Sequence, residues 1–259
     1  MTRITLASRS APGARPYNED DLEYGTLGGG WFAVLADGAG GHTDGAIASD
    51  LVVCSAVQAL AQRAGAGSLA PADLGEVLLL AHDALCQRQI GLQGQQRMLS
   101  TLVLLWIDTQ PLHAFWAHVG DSRLYLLRQG RVEAVTCDDS VVQRLVAAGL
   151  LDAEQAREHP QRHQLIAALG DDEPVEPHIC PAAVALREGD AFLLCSDGWY
   201  DALAPGDIEA TLARAHSAEA WLVAMDARVR ERQVPNQDNF SAIAVWVGSP
   251  AEVTRIGAA

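Results

Sequence analysis

The sequence predicts an α+β fold built in layers, with antiparallel sheets packed against helices. Three strand-like runs follow one another between residues 101 and 127 with only tight turns between them, which is typical of a meander and not of βαβ units. Long apolar helical segments precede this meander, and a small helical region separates it from further strand and helix segments. The resulting order is β, α, β, small α, β, α, β, and it indicates an α+β protein.

The N-terminal third begins with a predicted β-hairpin. Residues 21–27 and 31–36 are short β-type runs, and the glycines at 28–30 separate them. The helical segments that follow, 45–60 and 73–90, are rich in Ala, Leu and Val and contain no proline. Segments of this length and composition predict helices that are buried or half-buried.

The meander strands are predicted at 101–107, 113–119 and 123–127, and the tight turn Gly120-Asp121-Ser122 joins the last two. A small helical insertion follows, because the apolar spacing of residues 140–151 is helical. A capping box over residues 152–155 then predicts a short helix that Pro160 halts. The segments predicted after this insertion are a strand at 191–195, a helix at 207–230 and a last strand at 241–247.

Length and charge limit the possible functions. The chain of 259 residues has no internal repeat or long linker, so we expect one domain over residues 1–259. Its 33 acidic residues outnumber the 18 Lys and Arg, and a net charge of −15 argues against binding nucleic acid or anionic lipid. The apolar stretch 102–107 is far shorter than the roughly 20 residues that cross a bilayer, and residues 1–6 contain no signal-peptide core. We therefore expect a cytoplasmic protein with no membrane segment.

Cysteine and histidine patterns do not indicate zinc or disulfides. The five cysteines are widely spaced without a Cys-x-x-Cys pair, and we interpret them as small apolar fillers. His159 and His163 stand four residues apart, but Pro160 keeps them off a shared helical face. The chain also lacks the glycine motifs of serine hydrolases and P-loop proteins.

Acidic residues stand at the ends of several predicted strands, where side chains from neighbouring strands converge. Taken alone, each Asp-Gly or Gly-Asp-Ser sequence is an ordinary turn, so the hypothesis rests on the whole set. The acidic candidates are Asp37 after the strand 31–36, Asp197 after 191–195, Asp238 before 241–247, Asp121 in the meander turn, and Glu19 and Asp20 ahead of the hairpin.

Such a cluster predicts a site for hard cations. Carboxylates that lie close together raise one another's pKa unless positive charge offsets them, and oxygen ligands suit Mg²⁺ or Mn²⁺. Gly38 lets a backbone carbonyl approach an ion. Two hard cations about 4 Å apart are suited to attacking a phosphate ester with activated water. Arg15, four residues before Glu19, is a candidate to bind the phosphate oxygens. Without the neighbouring acidic residues, an arginine here would be interpreted as a surface residue.

Several motifs together identify a family resemblance, because their joint occurrence in this order leaves little room for chance. They are Arg15-x-x-Asn18-Glu19-Asp20, Ala36-Asp37-Gly38-Ala39-Gly40-Gly41-His42, Gly120-Asp121-Ser122-Arg123, Ser196-Asp197-Gly198 and Asp238-Asn239-Phe240-Ser241. The chain resembles the type 2C protein phosphatases, the metal-dependent PPM class that acts on serine and threonine, in their compact bacterial form. The resemblance covers nearly the whole chain.

The resemblance implies a four-layer αββα sandwich of two antiparallel sheets, with Mn²⁺ or Mg²⁺ in a cleft at the sheet edges. It implies two ions, with a position for a third, and a water between the metals as the nucleophile. The implied site roles are Asp37 as bridging ligand, the Gly38 carbonyl, Asp197 and Asp238 as further ligands, Asp121 with Asp197 at the third ion, Glu19, Asp20 and Asn239 in water-mediated or supporting positions, and Arg15 on the phosphate.

The chain departs from the family pattern at a few positions. Ala39 stands where many eukaryotic members carry a histidine, so we expect water to protonate the leaving group. Asp139 occupies the histidine place of the bacterial Thr-x-Asp-His-Ser pattern, and Ala167-Ala168 replace Thr/Ser-Arg. These last changes fall in a helical flap subdomain of about 136–178, where we expect them to affect substrate choice more than chemistry.

Two hypotheses on function remain open. The resemblance implies hydrolysis of phosphoserine and phosphothreonine on proteins, opposing a bacterial Ser/Thr kinase, by an enzyme that we expect to be a monomer. The alternative is a catalytically silent relative that binds a phosphoprotein or regulates a partner. The retention of Asp37, Asp197 and Asp238 favours the active enzyme. A metal-dependent nuclease is disfavoured by the acidic charge.

Overall fold

A computed structural model describes residues 2–39, 43–91, 97–232 and 234–248. The predicted motif residues Gly40, Gly41 and His42 lie outside the described residues. The described strands are β1 (Ile4–Ala11), β2 (Asp20–Leu27), β3 (Gly30–Ala39), β4 (Leu99–Ser100), β5 (Leu102–Thr109), β6 (Leu112–Val119), β7 (Arg123–Arg128), β8 (Arg131–Val135), β9 (His178–Ile179), β10 (Val184–Ala185), β11 (Ala191–Cys195) and β12 (Phe240–Val247). The described helices are α1 (Thr43–Ala66), α2 (Pro71–Arg88), α3 (Val141–Ala147), α4 (Ala153–Glu158), α5 (Asp197–Tyr200), α6 (Pro205–Leu212) and α7 (Ala218–Arg232).

The strands form two antiparallel sheets. The first sheet has the order β1-β12-β11-β7-β8, and the second has the order β10-β6-β5-β3-β2 with β9 beside β6. Short β4 pairs with the end of β3, where the register places Gly38 opposite Ser100. The candidate site residues lie at or near the ends of strands in both sheets.

Three apolar clusters define four layers. Successive residues of β5 point to opposite faces of the sheet. Leu104 packs toward α1 and α2, while Leu105 packs toward the other sheet. The cluster between the sheets includes Phe192 and Ile243, and the outer face of the first sheet packs against Trp221 of α7. The order helices, sheet, sheet, helices is the predicted αββα sandwich.

One predicted helix was wrong in extent. The helix predicted over 207–230 is two helices, α6 and α7, which residues 213–217 separate. Ser217 explains the break, because its Oγ accepts a hydrogen bond of 3.0 Å from the Ala220 N–H, as a residue that caps a helix start does. Strands β1 and β8 and the two-residue strands were not predicted, because their sequences are polar or too short to form an apolar run.

The predicted lack of a membrane-length apolar segment needs a correction for α1. Its stretch Asp44–Ala66 is long and apolar enough to span a bilayer by length and composition alone, and 44% of its apolar stretch is buried inside the structure. Val52, Val53 and Leu60 of this helix belong to the core beneath β3, so burial against the sheet accounts for their apolar character. Core helices commonly satisfy the same criterion.

The cysteines are all free, as the spacing predicts, but not all are core residues. Cys180 and Cys195 are buried, whereas Cys54 and Cys137 are exposed. The interpretation as apolar fillers was therefore wrong for the exposed pair, since spacing alone carries no information on burial.

Candidate metal centre

Two aspartates face each other on the second sheet. Asp20 begins β2, Asp37 lies near the end of β3, and the hairpin register pairs them directly. Thr101 fixes the backbone of Asp37, because its Oγ1 accepts from the Asp37 N–H at 2.9 Å and its own N–H donates to the Asp37 carbonyl at 2.8 Å. A 2.7 Å hydrogen bond joins Thr101 Oγ1 to Ser122 Oγ. Asp37 is thus tied to the turn that carries Asp121.

The first sheet contributes three aspartates at one edge. Asp197 begins α5 just after β11, and Asp238 lies just before β12. Because β11 and β12 are antiparallel neighbours, the end of β11 lies beside the start of β12. On its other side, β11 pairs with β7, with Arg123 opposite Cys195, which brings Asp121 to the same edge.

Burial and neighbouring carboxylates raise the pKa of three of these aspartates. Burial raises the pKa of Asp37 well above its ordinary value, and neighbouring carboxylates raise it further. Burial and then repulsion from Asp197 raise the pKa of Asp121 to about 8. Burial likewise raises the pKa of Asp20 to about 7, although hydrogen bonds from serines lower it. The carboxylates acting on Asp37 are, in decreasing order, Asp20, Asp197, Asp121 and Asp238.

The donor set fits hard cations such as Mn²⁺ or Mg²⁺. Oδ1 of Asp20 and Oδ1 of Asp197 are buried and have no hydrogen-bond partner among the described residues. A buried carboxylate oxygen without a donor is costly unless a cation or water satisfies it. The other carboxylate oxygen of Asp20, Oδ2, accepts a hydrogen bond of 2.8 Å from Ser196 Oγ, which holds the side chain in place.

Gly38 and Gly45 bring a backbone carbonyl close to an acidic side chain. A Cβ on Gly45 would lie 2.8 Å from the Gly38 carbonyl oxygen and 2.5 Å from Glu19 Oε1. A Cβ on Gly38 would overlap the Gly45 carbonyl. Glycine at both positions therefore leaves room for the Gly38 carbonyl and the Glu19 carboxylate to lie together near Asp37.

Two cationic side chains contact the aspartates of the first sheet. Arg15 Nη2 donates to Asp238 Oδ2 at 2.6 Å, and His163 Nδ1 lies 2.9 Å from Asp197 Oδ2. Hydrogen bonds with Asp197 and then Asp201 raise the pKa of His163 to about 10. With these contacts in place, no three His, Cys, Asp or Glu side chains in the described ranges are arranged as a preformed metal cage.

Asn239 connects the strand edge to the loop that carries Arg15 and Glu19. Its Oδ1 accepts from the Glu19 N–H at 2.8 Å, and its Nδ2 donates to the carbonyls of Pro12 and Tyr17 at 2.9 and 2.8 Å. The amide therefore uses both its acceptor and its donors to hold the 12–19 loop on the start of β12. This is a positioning role, consistent with the supporting position that the resemblance implies.

Sequence reasoning missed three contributors to the site. Thr101 holds Asp37 and belongs to no motif, and Ser196 holds Asp20 although its motif was assigned a role only for Asp197. His163 reaches Asp197 from the flap, and it was considered only for a zinc pair with a neighbouring histidine. The sequence around Thr101, Ser196 and His163 does not indicate which distant residues they contact.

The departures from the family pattern lie in different surroundings. Ala39 is exposed at the end of β3. Ala168 is buried at 2% exposure, and Ala167 packs against the core between the second sheet and its helices. Asp139 is buried against the turn that carries Asp121. The expected effect of these changes on substrate choice stays a prediction.

Comparison with known proteins identifies the family. A profile of the protein phosphatase 2C family (PP2C_2) matches residues 11–237. The chain belongs to the protein phosphatase 2C family. The matched region begins before Arg15 and ends directly before Asp238, so it includes every candidate site residue except Asp238 and Asn239. The family resemblance read from the motifs is therefore confirmed.

Two bacterial phosphatases show the similarity of this phosphatase 2C chain to known proteins. Serine/threonine protein phosphatase PstP of Mycobacterium tuberculosis (strain H37Rv) is 36% identical over 206 residues, which are 78% of this chain but only 38% of PstP. Protein phosphatase PhpP of Streptococcus pneumoniae is 31% identical over 198 residues, 75% of this chain and 78% of PhpP. This chain thus spans well under half the length of PstP.

A solved structure confirms the predicted fold class. The catalytic domain of PstP in complex with two manganese ions is 30% identical to this phosphatase 2C chain, with a TM-score of 0.77. The alignment covers 96% of this chain and 100% of that one. The sandwich of two antiparallel sheets between helices is therefore the fold of a known phosphatase domain.

Proposed function

We propose that this chain hydrolyses phosphoserine and phosphothreonine on proteins in a reaction that depends on Mn²⁺ or Mg²⁺. The observation that carries the proposal is the cluster of five aspartates contributed by both sheets, in which burial and neighbouring carboxylates raise the pKa values of Asp20, Asp37 and Asp121. Such a cluster requires positive charge for all its members to ionise near neutral pH. The relatives named as Ser/Thr protein phosphatases and the manganese-bound PstP domain support this proposal.

We infer that two ions would be held by Asp37 as their common ligand, the Gly38 carbonyl, Asp197 and Asp238, and that a third would be held by Asp121 and Asp197. Glu19 and Asp20 would act through water, and Asn239 holds the loop that ends at Glu19. When bound, such ions polarise a phosphoryl group and lower the pKa of water. The buried, unpartnered oxygens of Asp20 and Asp197 are consistent with these roles.

Arg15 is the residue that we propose binds the substrate phosphate. Its side chain is 54% exposed, and its Nη2 donates to Asp238 Oδ2, so the guanidinium is held at the rim of the aspartate cluster. A planar guanidinium has five N–H donors, so contact with one carboxylate oxygen leaves others for phosphate oxygens. Ala39 offers no proton, so the leaving group would take its proton from water.

The biological setting follows from the same proposal. We infer that the substrates are phosphorylated proteins, either a Ser/Thr kinase or its targets, and that residues 1–259 act as one catalytic domain. A cytoplasmic location and a monomeric state are further parts of this proposal. The acidic charge of −15 supports the expectation that neither nucleic acid nor a membrane is a partner.

The proposal is tested by phosphate release from p-nitrophenyl phosphate and from a phosphothreonine peptide, measured with Mn²⁺, Mg²⁺ or EDTA. We expect turnover with either metal, none in EDTA, and loss of activity in Asp197→Asn. Asp226→Asn is the matched control, because Asp226 lies on α7 and pairs with Arg230 instead of joining the cluster. Absence of turnover in a folded wild-type protein that binds Mn²⁺ would support the silent binding module instead.

A further inference from the structure

A five-residue loop between β8 and α3 grips the turn that carries Asp121. We name residues 136–140 the clamp loop. Thr136 pairs with the start of β7 in both directions: its N–H donates to the Leu124 carbonyl at 3.1 Å, and its Oγ1 accepts from the Leu124 N–H at 3.0 Å. Asp138 accepts two hydrogen bonds from the Arg123 guanidinium, at 2.9 and 2.7 Å. The clamp loop therefore holds the turn on its C-terminal side.

Asp139 holds the same turn on its N-terminal side. Its N–H donates to the Gly120 carbonyl at 3.0 Å, and its Oδ2 accepts from the Gly120 N–H at 3.0 Å. The Asp139 residue is 8% exposed, so these bonds are shielded from solvent. Gly120 has a φ of +93°, and a Cβ there would lie 2.6 Å from the Thr101 side chain. The residue before Asp121 is thus fixed between Asp139 and Thr101.

Two histidines support the clamp loop from the second sheet. His178 of β9 pairs with His118 of β6, and their rings stack with centroids 4.9 Å apart. His178 Nε2 donates to Asp139 Oδ1 at 2.8 Å. His118, 4% exposed, donates from Nε2 to the Cys137 carbonyl at 2.9 Å. The two imidazoles therefore fasten the clamp loop to a sheet that also carries Asp37.

The hydrogen-bond donors around position 139 explain why a carboxylate stands there. Its two oxygens face two different donors, the Gly120 N–H and the His178 imidazole. A neutral histidine at 139 has a single acceptor nitrogen and could not serve both. In this chain the imidazole stands on β9 instead, and the acid stands on the clamp loop.

We propose that Asp139, supported by His178, is a positioning residue that fixes the Asp121 carboxylate at the aspartate cluster. This inference rests on the proposed assignment of Asp121 as a metal ligand. Asp139 makes two hydrogen bonds to the backbone of Gly120, the residue before Asp121, and these bonds restrict the movement of the turn that carries the Asp121 carboxylate. Asp139 is not one of the proposed metal ligands, and it would act through the backbone of Gly120.

The test is Mn²⁺ binding, measured by titration calorimetry on the full chain without substrate. Asp121→Asn defines the binding step that depends on Asp121. We expect Asp139→Ala to weaken that step by about tenfold or more, as loss of a residue that orients a ligand does, and to leave the other steps unchanged. His178→Gln removes only the support and should weaken the same step by roughly threefold. Asp226→Asn changes a residue of α7 that pairs with Arg230 and is not among the proposed ligands, so it should bind Mn²⁺ like the wild type.

A double variant makes the test specific. In Asp121→Asn/Asp139→Ala, the Mn²⁺ titration should match that of Asp121→Asn alone, because both changes act on one step. Asp139→Leu keeps the branched side-chain shape but has no acceptor for the Gly120 N–H, and it should weaken the same step if the alanine variant does not fold. Wild-type binding in folded Asp139→Ala or Asp139→Leu would overturn the inference, and so would a double variant that also weakens the other binding steps. Absence of turnover in the wild type with this binding pattern intact would overturn only the proposed function.

Discussion

Gly38 determines, at the scale of a single residue, how closely β3 and the start of α1 approach each other. Its N–H donates to the Glu19 carbonyl at 3.0 Å, and a Cβ at this position would overlap the backbone of Gly45. Backbone cannot yield as a flexible side chain does. The glycine is therefore required by packing as well as by the proposed ligand role of its carbonyl.

We predict that Gly38→Ala lowers the free energy of unfolding by about 2 kcal/mol, the usual cost of overpacking a tight site. It should also weaken Mn²⁺ binding, because the displaced backbone carries the carbonyl. Gly206→Ala is the control, since a Cβ at Gly206 in α6 would meet nothing within 4 Å. Urea unfolding of both variants checks this, and equal stability of the two would contradict the packing account.

Single residues also show the limit of prediction from sequence. The motifs identified Asp37, Asp197 and Asp238 because each follows or precedes an apolar strand. The partners that hold the site, such as Thr101 and His163, contact it across 64 and 34 residues of sequence. Such contacts depend on how the sheets stack, which local sequence does not encode.

At the scale of elements, α4 depends on its cap. Asp152 Oδ1 accepts from the N–H groups of Glu154 and Gln155 at 2.9 and 2.8 Å, and Gln155 Oε1 accepts from the Asp152 N–H at 2.9 Å. This is the capping box that the sequence predicts. No residue of α4 is buried, so packing contributes little to its stability.

We predict that Asp152→Ala destabilises α4 locally by about 1 kcal/mol without changing the melting temperature of the whole chain. Hydrogen exchange of the amides of residues 154–158 should speed up by about fivefold, which is the rate change that this energy gives. Glu158→Ala, at the exposed end of the helix, should leave exchange unchanged. Exchange in Asp152→Ala as slow as in the wild type would show that the flap holds α4 by other contacts.

Elements differed in how well the sequence predicts them. The buried strands β5, β6, β7 and β11 have continuous apolar sequences, and their predicted bounds agree with the structure within two residues. β1 was missed because it is an edge strand with polar residues on both faces, such as Arg9 and Ser10, so its sequence shows neither an apolar run nor a regular alternation. Its eight-residue pairing with β12 is a tertiary contact that its own sequence does not show.

At the scale of the whole molecule, the site exists only because two sheets meet at one edge. Asp20 and Asp37 come from one sheet, and Asp121, Asp197 and Asp238 come from the other. The apolar cluster between the sheets therefore supports a concentration of negative charge at its rim. This arrangement has a consequence for the stability of the protein as a function of pH.

We predict that, in EDTA, stability falls as the pH rises from about 6 to about 8.5. The pKa of Asp20 is raised to about 7 and that of Asp121 to about 8, so the folded chain binds more protons than the unfolded chain over this interval. For these two groups, the free energy of unfolding is highest below the ordinary carboxyl pKa of about 4. It falls as the pH rises through the raised pKa values of Asp20 and Asp121. Mn²⁺ should restore more stability at the higher pH, because its ligands must lose their protons.

Thermal melts at both pH values check this prediction. Asp121→Asn removes one of the titrating groups, so its melting temperature in EDTA should depend less on pH than that of the wild type. An equal pH dependence in this variant would show that the cluster does not control stability in this range.

The number of Mn²⁺ ions bound per chain, in the wild type and in Asp37→Asn, tests the central claim most directly. Asp37 feels the other four aspartates of the cluster, and it is the proposed ligand shared by two ions. We predict two or three bound ions in the wild type and loss of both ions of the shared pair in the folded variant. Wild-type stoichiometry and affinity in Asp37→Asn would contradict the account.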